Sequence, residues 1–214
     1  MDKTIINDAL EFVRNAFDAD YSGHDYFHTL RVYKMATRIA EQENANLIIV
    51  QLAALLHDVD DIKLSPETYV NKDIAVDFLR KHGTSEAMIK TICNIIGEVS
   101  FRGTDSITPE TIEGRCVQDA DRLDAIGAIG IARTFAYVGS HNRIIHDPEI
   151  NPTVNMNADK YQNHISTSIN HFYEKLFQLK DLMNTDTAKK IAGQREDYMR
   201  TFILEFLDEW DGIR

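Results

Sequence analysis

The stretch Leu47-Ile48-Ile49-Val50-Gln51-Leu52-Ala53-Ala54-Leu55-Leu56-His57-Asp58 decides the fold. All of its residues before His57 are apolar except Gln51. A helix that is apolar nearly all round belongs inside a core. Yet this one ends on an imidazole and a carboxylate. Burying two titratable groups is costly unless they pair or bind a metal ion. Adjacent helical residues do not face each other, but at a helix end their side chains can splay around a common ion. The plainer account is a histidine that caps the helix carboxyl end, favoured by the helix dipole, with Asp58 opening the next turn. Taken alone, the stretch fits either account.

On the N-terminal side, Ile6, Leu10, Val13 and Phe17 recur at helical spacing and predict a helix over 3–18. Tyr21-Ser22-Gly23-His24 breaks that pattern, and Asp25 suits the N-cap of a helix reaching about Glu43. Its inward stripe is Val32, Met35, Ala36, Ile39 and Ala40, and His28, one turn earlier, continues it. On the C-terminal side, Asp60 to Pro66 reads as a loop. Helices are expected over 67–82 and 85–98, with Gly83 as the stop and Ser85 as the next start. Thr108-Pro109 opens a further helix that runs to about Val138. Asp121 shares the stripe of Val117, Ala125 and Ala128, so it points inward. Residues 140–158 lack periodicity and read either as a disordered insertion or as a lid carrying His141, Arg143 and His146. Helices are expected over 159–183 and from Thr185 to Trp210. No strand pattern occurs, so the expected fold is all-α, a single-domain helical bundle of about eight or nine helices.

The 214 residues suffice for one domain with a real core. A net charge of -11 argues against a nucleic-acid backbone or an anionic membrane as the main partner. It leaves room for small phosphates recruited by a metal or by local cations. Cys93 and Cys116 form no CxxC pair and sit among apolar residues, as inert core thiols do. There is no transmembrane run and no signal-peptide core, so a cytoplasmic location is expected.

His28, the His57-Asp58 pair and Asp121 thus place metal-competent groups on otherwise apolar stripes of separate helices. Each alone could be a hydrogen-bonded core residue. Together they are explained more economically by a shared metal site. A mixed nitrogen and oxygen set suits Mn, Fe, Mg or Co in octahedral geometry better than a structural zinc. Such an ion leaves positions for water and substrate, activating the one and polarising the other.

This order resembles the H…HD…D signature of the HD-domain metal-dependent phosphohydrolases. Gly23-His24-Asp25-Tyr26-Phe27-His28, Ala53-Ala54-Leu55-Leu56-His57-Asp58 and Asp119-Ala120-Asp121-Arg122-Leu123-Asp124 carry the likeness. Residues 121–133 and 169–176 extend it, close to full length, to a bacterial subgroup of small stand-alone HD hydrolases. The resemblance implies one HD domain over 1–214, with metal-site helices in 20–125 completed by helices in 159–211. It implies that His28, His57, Asp58 and Asp121 ligate one divalent ion, Mn2+ first and Mg2+, Fe2+, Co2+ or Ni2+ otherwise. The extra histidines of two-metal members are absent from Ile92–Glu98, and so is the Gly-Tyr-Pro signature of the cyclic-dinucleotide class. The first absence also counts against an HD-like oxygenase. The implied activity is hydrolysis of a nucleotide-like phosphate, with nucleoside triphosphate pyrophosphohydrolysis favoured. A 5'-nucleotidase or another phosphomonoesterase or phosphodiesterase is the alternative. A metal- and nucleotide-binding sensor is the non-enzymatic one.

Around these ligands the roles are more open. Asp61 is a candidate to orient the attacking water or relay its proton, or else a solvated acid. Arg31 and Lys63 are candidates for phosphate contact, though Arg31 could instead pair with Asp58 or Asp121. His24 flanks the first ligand. Asp124 could hold a ligand histidine or the Arg122 guanidinium. His171 and Lys175 share a helix face, as substrate contacts or as a solvated pair. The Gly/Ala-rich run over 125–132 could pack internally or across a homodimer.

Overall fold

The computed structural model describes residues 2–17, 25–61, 65–157, 159–160 and 164–214. Among them are nine α-helices and no strand. They are α1 (Asp2–Ala16), α2 (Tyr26–Glu43), α3 (Leu47–Leu56), α4 (Asp73–Lys81), α5 (Glu86–Val99), α6 (Ile112–Asp124), α7 (Gly127–Ser140), α8 (Ser168–Glu174) and α9 (Asp186–Trp210). The fold is therefore all-α, as the periodicities imply. The chain forms two compact units, Met1–Ser100 with Ile107–Asp121, and Phe101–Ser106 with Arg122–Arg214. No helix among the described residues is long and apolar enough to cross a membrane.

The first unit is built on α3. Asn44 takes a left-handed conformation (φ 55°) and ends α2. Asn46 then caps α3 by accepting the Ile49 N–H, while its own N–H donates to Glu113 Oε1 at 3.0 Å. With both ends of this turn fixed, α3 packs against α1, α2 and α5. Leu52 is 1 % exposed and Ala53 to Leu56 are 0 % exposed. The all-round apolarity of the stretch is thus matched by neighbours on several sides.

Helix boundaries depart from the sequence expectation in three places, each for a local reason. Residues 66–72 form turns instead of the start of α4, because Lys72 has a left-handed backbone (φ 58°) that interrupts the helical path. The helix expected from Thr108 begins at Ile112, since the Thr111 hydroxyl, not that of Thr108, accepts the Gly114 N–H (3.0 Å). That helix also stops at Asp124. Gly127 at φ +77° reverses the chain, and a Cβ on Gly130 would lie 2.2 Å from the Ala125 carbonyl oxygen. Glycine is needed where backbone approaches this closely.

In the second unit, α7 and the 3-10 helix Leu176–Leu182 pack on α9. Phe135, Phe172, Phe202, Phe206 and Trp210 form its aromatic centre, with Phe135 to Phe202 ring centroids 5.8 Å apart. Within the helix expected over 159–183, residues 164–167 are not helical, and α8 and this 3-10 helix follow them, divided at Lys175 (φ -139°, ψ -57°). The near-heptad spacing arises because α8 buries Ile169 and Phe172 and the 3-10 helix buries Leu176 and Leu179. The irregular stretch after α7 is stitched down. Ile169 N–H donates to the Ile145 carbonyl (3.1 Å), Asn170 Nδ2 to that of Ile150 (2.7 Å), Thr153 N–H to Glu174 Oε1 (2.9 Å) and Thr104 N–H to the Met156 carbonyl (3.0 Å). His146 lies edge-on to Trp210, with ring centroids 4.9 Å apart.

Candidate metal centre

Each polar group of the first unit reaches the centre by a local device. Asp25 accepts the His28 N–H at 2.8 Å, so the N-cap fixes the first turn of α2, from which the His28 imidazole projects. His57 follows the last residue of α3. Its Nδ1 lies 2.9 Å from the Ala54 carbonyl, which makes Nδ1 the protonated nitrogen. Asp58 opens the next turn, closed by the Asp61 N–H donating to the Asp58 carbonyl at 3.1 Å. Asp121 lies one turn before the end of α6.

His28, His57 and Asp58 are all buried and offer ligand atoms within 4.8 Å of one another. Asp58 Oδ2 is 3.4 Å from His28 Nε2 and 3.2 Å from His57 Nε2. Asp121 Oδ1 is 3.5 Å from His28 Nε2 and 4.0 Å from His57 Nε2. The Asp121 side chain is 26 % exposed, more than its stripe implied, because α6 ends a turn later and Ala128 is on the surface.

His57 Nε2 tests whether a metal ion fits. It is buried and makes no well-formed hydrogen bond, although a carboxylate oxygen is close. With Nδ1 donating to Ala54, a neutral His57 turns its Nε2 lone pair toward a carboxylate oxygen, a contact that a proton or a cation at Nε2 relieves. A shared cation removes that conflict, and unsatisfied buried polar atoms otherwise cost stability. Burial lowers the His57 pKa, but Asp58 and then Asp121 outweigh it against His28, and the net shift is upward. The cluster favours positive charge at Nε2. Two nitrogens with carboxylate oxygens are a donor set for a divalent transition-type ion.

The other sequence candidates are placed as follows. Arg31 is half-buried one turn after His28, and Asp61 is half-buried beside the turn. Lys63 and His24 lie outside the described residues. Arg122 is buried and donates to the Leu182 carbonyl, while the Asp124 carboxylate accepts from Arg133 at 2.8 Å. Lys175 lies just past α8, with its Nζ 4.9 Å over the Phe101 ring. Cys116 is buried, and burial followed by Asp119 pushes its thiol up to about 12, so it is inert.

His171 is a neutral group, not an acid. Burial, then the Lys175 and Arg143 cations, lowers its pKa from 6.5 to about 3. The unfolded chain therefore binds a proton as pH falls through 6.5, and the folded chain does so only near 3. Above that window the group is silent; within it, stability falls as pH falls. His171→Asn should accordingly lose less melting temperature than wild type on going from about pH 7 to about pH 5. Parallel thermal melts check this, and equal losses would refute it.

One residue had no signal in the sequence pattern. Asp60 is 1 % exposed, and its two carboxylate oxygens accept the N–H groups of Ile74 (3.1 Å) and Ala75 (3.0 Å). It caps α4 from fourteen residues away. A long-range cap leaves no trace in local spacing.

These features define an all-helical protein with a buried His/Asp cluster able to hold a metal ion. The HD-domain family matches residues 25–126, a span that includes every residue of the cluster, and the chain belongs to this family. It is 36 % identical over 204 residues to the uncharacterized protein YpgQ of Bacillus subtilis, covering 94 % of this chain and 92 % of that one. An HD-superfamily hydrolase from Bacillus thuringiensis superposes with a TM-score of 0.79 at 43 % identity, covering 99 % of each chain. YpgQ solved in complex with ADP gives 0.77 at 34 % identity, covering 98 % of this chain and all of that one. The fold is that of the HD-superfamily hydrolases.

Proposed function

We propose that the chain is a one-metal phosphohydrolase acting on a nucleotide, with a nucleoside triphosphate cleaved to its monophosphate and pyrophosphate. The observation that carries this reading is the buried His57 Nε2, set 3.2 Å from an Asp58 oxygen with no hydrogen bond to satisfy it. His28, His57, Asp58 and Asp121 would hold the ion, Mn2+ ahead of Mg2+, Fe2+, Co2+ or Ni2+. When bound, such an ion neutralises charge on a phosphoryl oxygen and makes water acidic enough to attack phosphorus. The remaining work belongs to the chain. The Nδ1 to Ala54 hydrogen bond keeps the His57 ring turned with Nε2 toward the cluster. The Asp25 cap does the same for the start of α2. Asp61 is assigned to receive the proton that water loses, and Arg31 to contact phosphate oxygens, a task suited to a guanidinium. ADP bound to YpgQ supports a nucleotide as the ligand class.

The test is product analysis over a nucleotide panel with Mn2+, resolving orthophosphate from pyrophosphate. Pyrophosphate with a nucleoside monophosphate is the expected result. Orthophosphate released only from monophosphates would replace this reading with a nucleotidase. Stoichiometric Mn2+ binding without turnover of any nucleotide would replace it with a sensor.

A further inference from the structure

The HD pair sits on a turn, not within a helix. α3 reaches it through the Val59 N–H to the Leu56 carbonyl at 3.4 Å and through His57 Nδ1 to Ala54. A ligand constellation works only when its geometry is held closely. A turn carrying two such groups gains from an anchor to a second helix.

Asp60 is so placed. It lies two residues after Asp58, within the same turn, and is almost wholly buried. Its two oxygens are divided between successive N–H groups in the first turn of α4. That helix has no cap of its own: Lys72 precedes it in a left-handed conformation and makes no side-chain cap hydrogen bond. The helix start needs an acceptor, and the carboxylate needs donors. Each satisfies the other, and charge-assisted bonds of this kind are among the stronger ones. α4 in turn packs on α5, and α5 on α3, so the clasp closes a circuit back to the helix that carries the HD pair.

We propose that Asp60 is a positioning residue for the metal centre: its carboxylate clasps the α4 N-terminus and thereby sets the turn at which the His57 and Asp58 side chains meet His28. The proposal rests on the metal-binding reading above. Asp60 does not touch the ion; it acts through the backbone of the turn. The Asp60→Asn variant keeps the shape but replaces one acceptor oxygen with an amide that cannot accept an N–H. One of the two bonds is lost and a donor then faces a donor.

The experiment measures Mn2+ binding by calorimetry and by the electron paramagnetic resonance spectrum of the bound ion, without nucleotide. Wild type, Asp60→Asn, Asp60→Ser and Thr185→Ala are compared. Thr185 caps α9 through the Ala188 N–H at 3.2 Å, so its loss is a control for cap removal in the second unit. Mn2+ affinity should fall about tenfold in Asp60→Asn, with a broadened spectrum, at unchanged helical content. Thr185→Ala should lower the melting temperature yet leave affinity and spectrum alone. Wild-type affinity and spectrum in the Asp60 variants would overturn the proposal. So would failure of both Asp60 variants to fold, which would assign the residue to stability alone. Absence of Mn2+ binding by the wild type would instead overturn the metal reading itself.

Discussion

Asp58→Asn should reduce nucleotide hydrolysis at least about a thousandfold and yet, at a pH where His57 is neutral, leave the metal-free protein as stable as wild type or more so. The two halves of this expectation come from one atom pair. Asp58 Oδ2 and His57 Nε2 are 3.2 Å apart, and in the neutral ring, with its proton on Nδ1, Nε2 has no donor to satisfy it. An asparagine amide at the same place can donate to that nitrogen, removing a buried unsatisfied group worth about 1–3 kcal/mol. It also removes the charge that a divalent ion requires. A catalytic ion contributes several kcal/mol, and each 1.4 kcal/mol or so is tenfold in rate, which sets the size of the loss. His57→Ala should lose activity to the same extent. Its metal-free stability should change little, because it gives up the bond to the Ala54 carbonyl but also the orphaned nitrogen. Thermal melts with and without Mn2+ separate these effects. At a metal concentration about a hundred times Kd, the wild type should gain about 2.7 kcal/mol. That corresponds to a rise of roughly 5–11 °C for a chain of this size. Neither variant should respond. A metal-free Asp58→Asn protein that melts well below wild type would show that Nε2 is not in conflict with the carboxylate. A variant that still responds to Mn2+ would remove its residue from the ligand set.

The cluster was legible in the sequence because its groups are out of keeping with their apolar surroundings. A His-Asp pair ending an apolar helix is anomalous on composition alone, and His28 and Asp121 fall on inward stripes by counting turns. The helical periods were legible for the same reason: α2, α3, α5 and α9 each bury a face against neighbours. Illegible features depend on single backbone conformations or on distant partners. Nothing in the text around Lys72 announces a left-handed residue, so α4 appears six residues too long at 67 against its start at Asp73. Gly127 in an otherwise helical run reads as a packing residue until its φ of +77° is known. Arg122 and Asp124 lie beside Asp121 in sequence, and only the structure shows the Leu182 carbonyl and Arg133 among their partners. Asp60 is the sharpest case, an acid in an acidic loop whose partners are the N–H groups of Ile74 and Ala75. Periodicity reports which face is buried; it does not report who caps whom.

Leu55→Ala should strongly destabilise the first unit. The side chain is 0 % exposed, on a helix packed by α1, α2 and α5, so little room exists for neighbours to collapse inward. Such a truncation costs about 2–5 kcal/mol, the upper part of the range applying where the cavity persists. Against a total stability of about 5–15 kcal/mol this is a large fraction. The melting temperature should drop by roughly 5–15 °C. Leu55 lies two residues before His57 and touches no ligand role, which makes it the complement of the Asp58→Asn change. One variant spares stability and abolishes metal response; the other should sacrifice stability and keep the response. Saturating Mn2+ should raise the Leu55→Ala melting temperature by nearly the same free energy as it raises wild type, because binding depends on the folded turn and not on the cavity behind it. Melts of the two proteins across a Mn2+ series measure this. Equal increments would mean that α3 acts as a rigid post, with the constellation set at its end by the turn and by Asp60. A much smaller increment in Leu55→Ala would mean that the cavity lets the end of α3 shift, and that core packing itself aims the His57 ring.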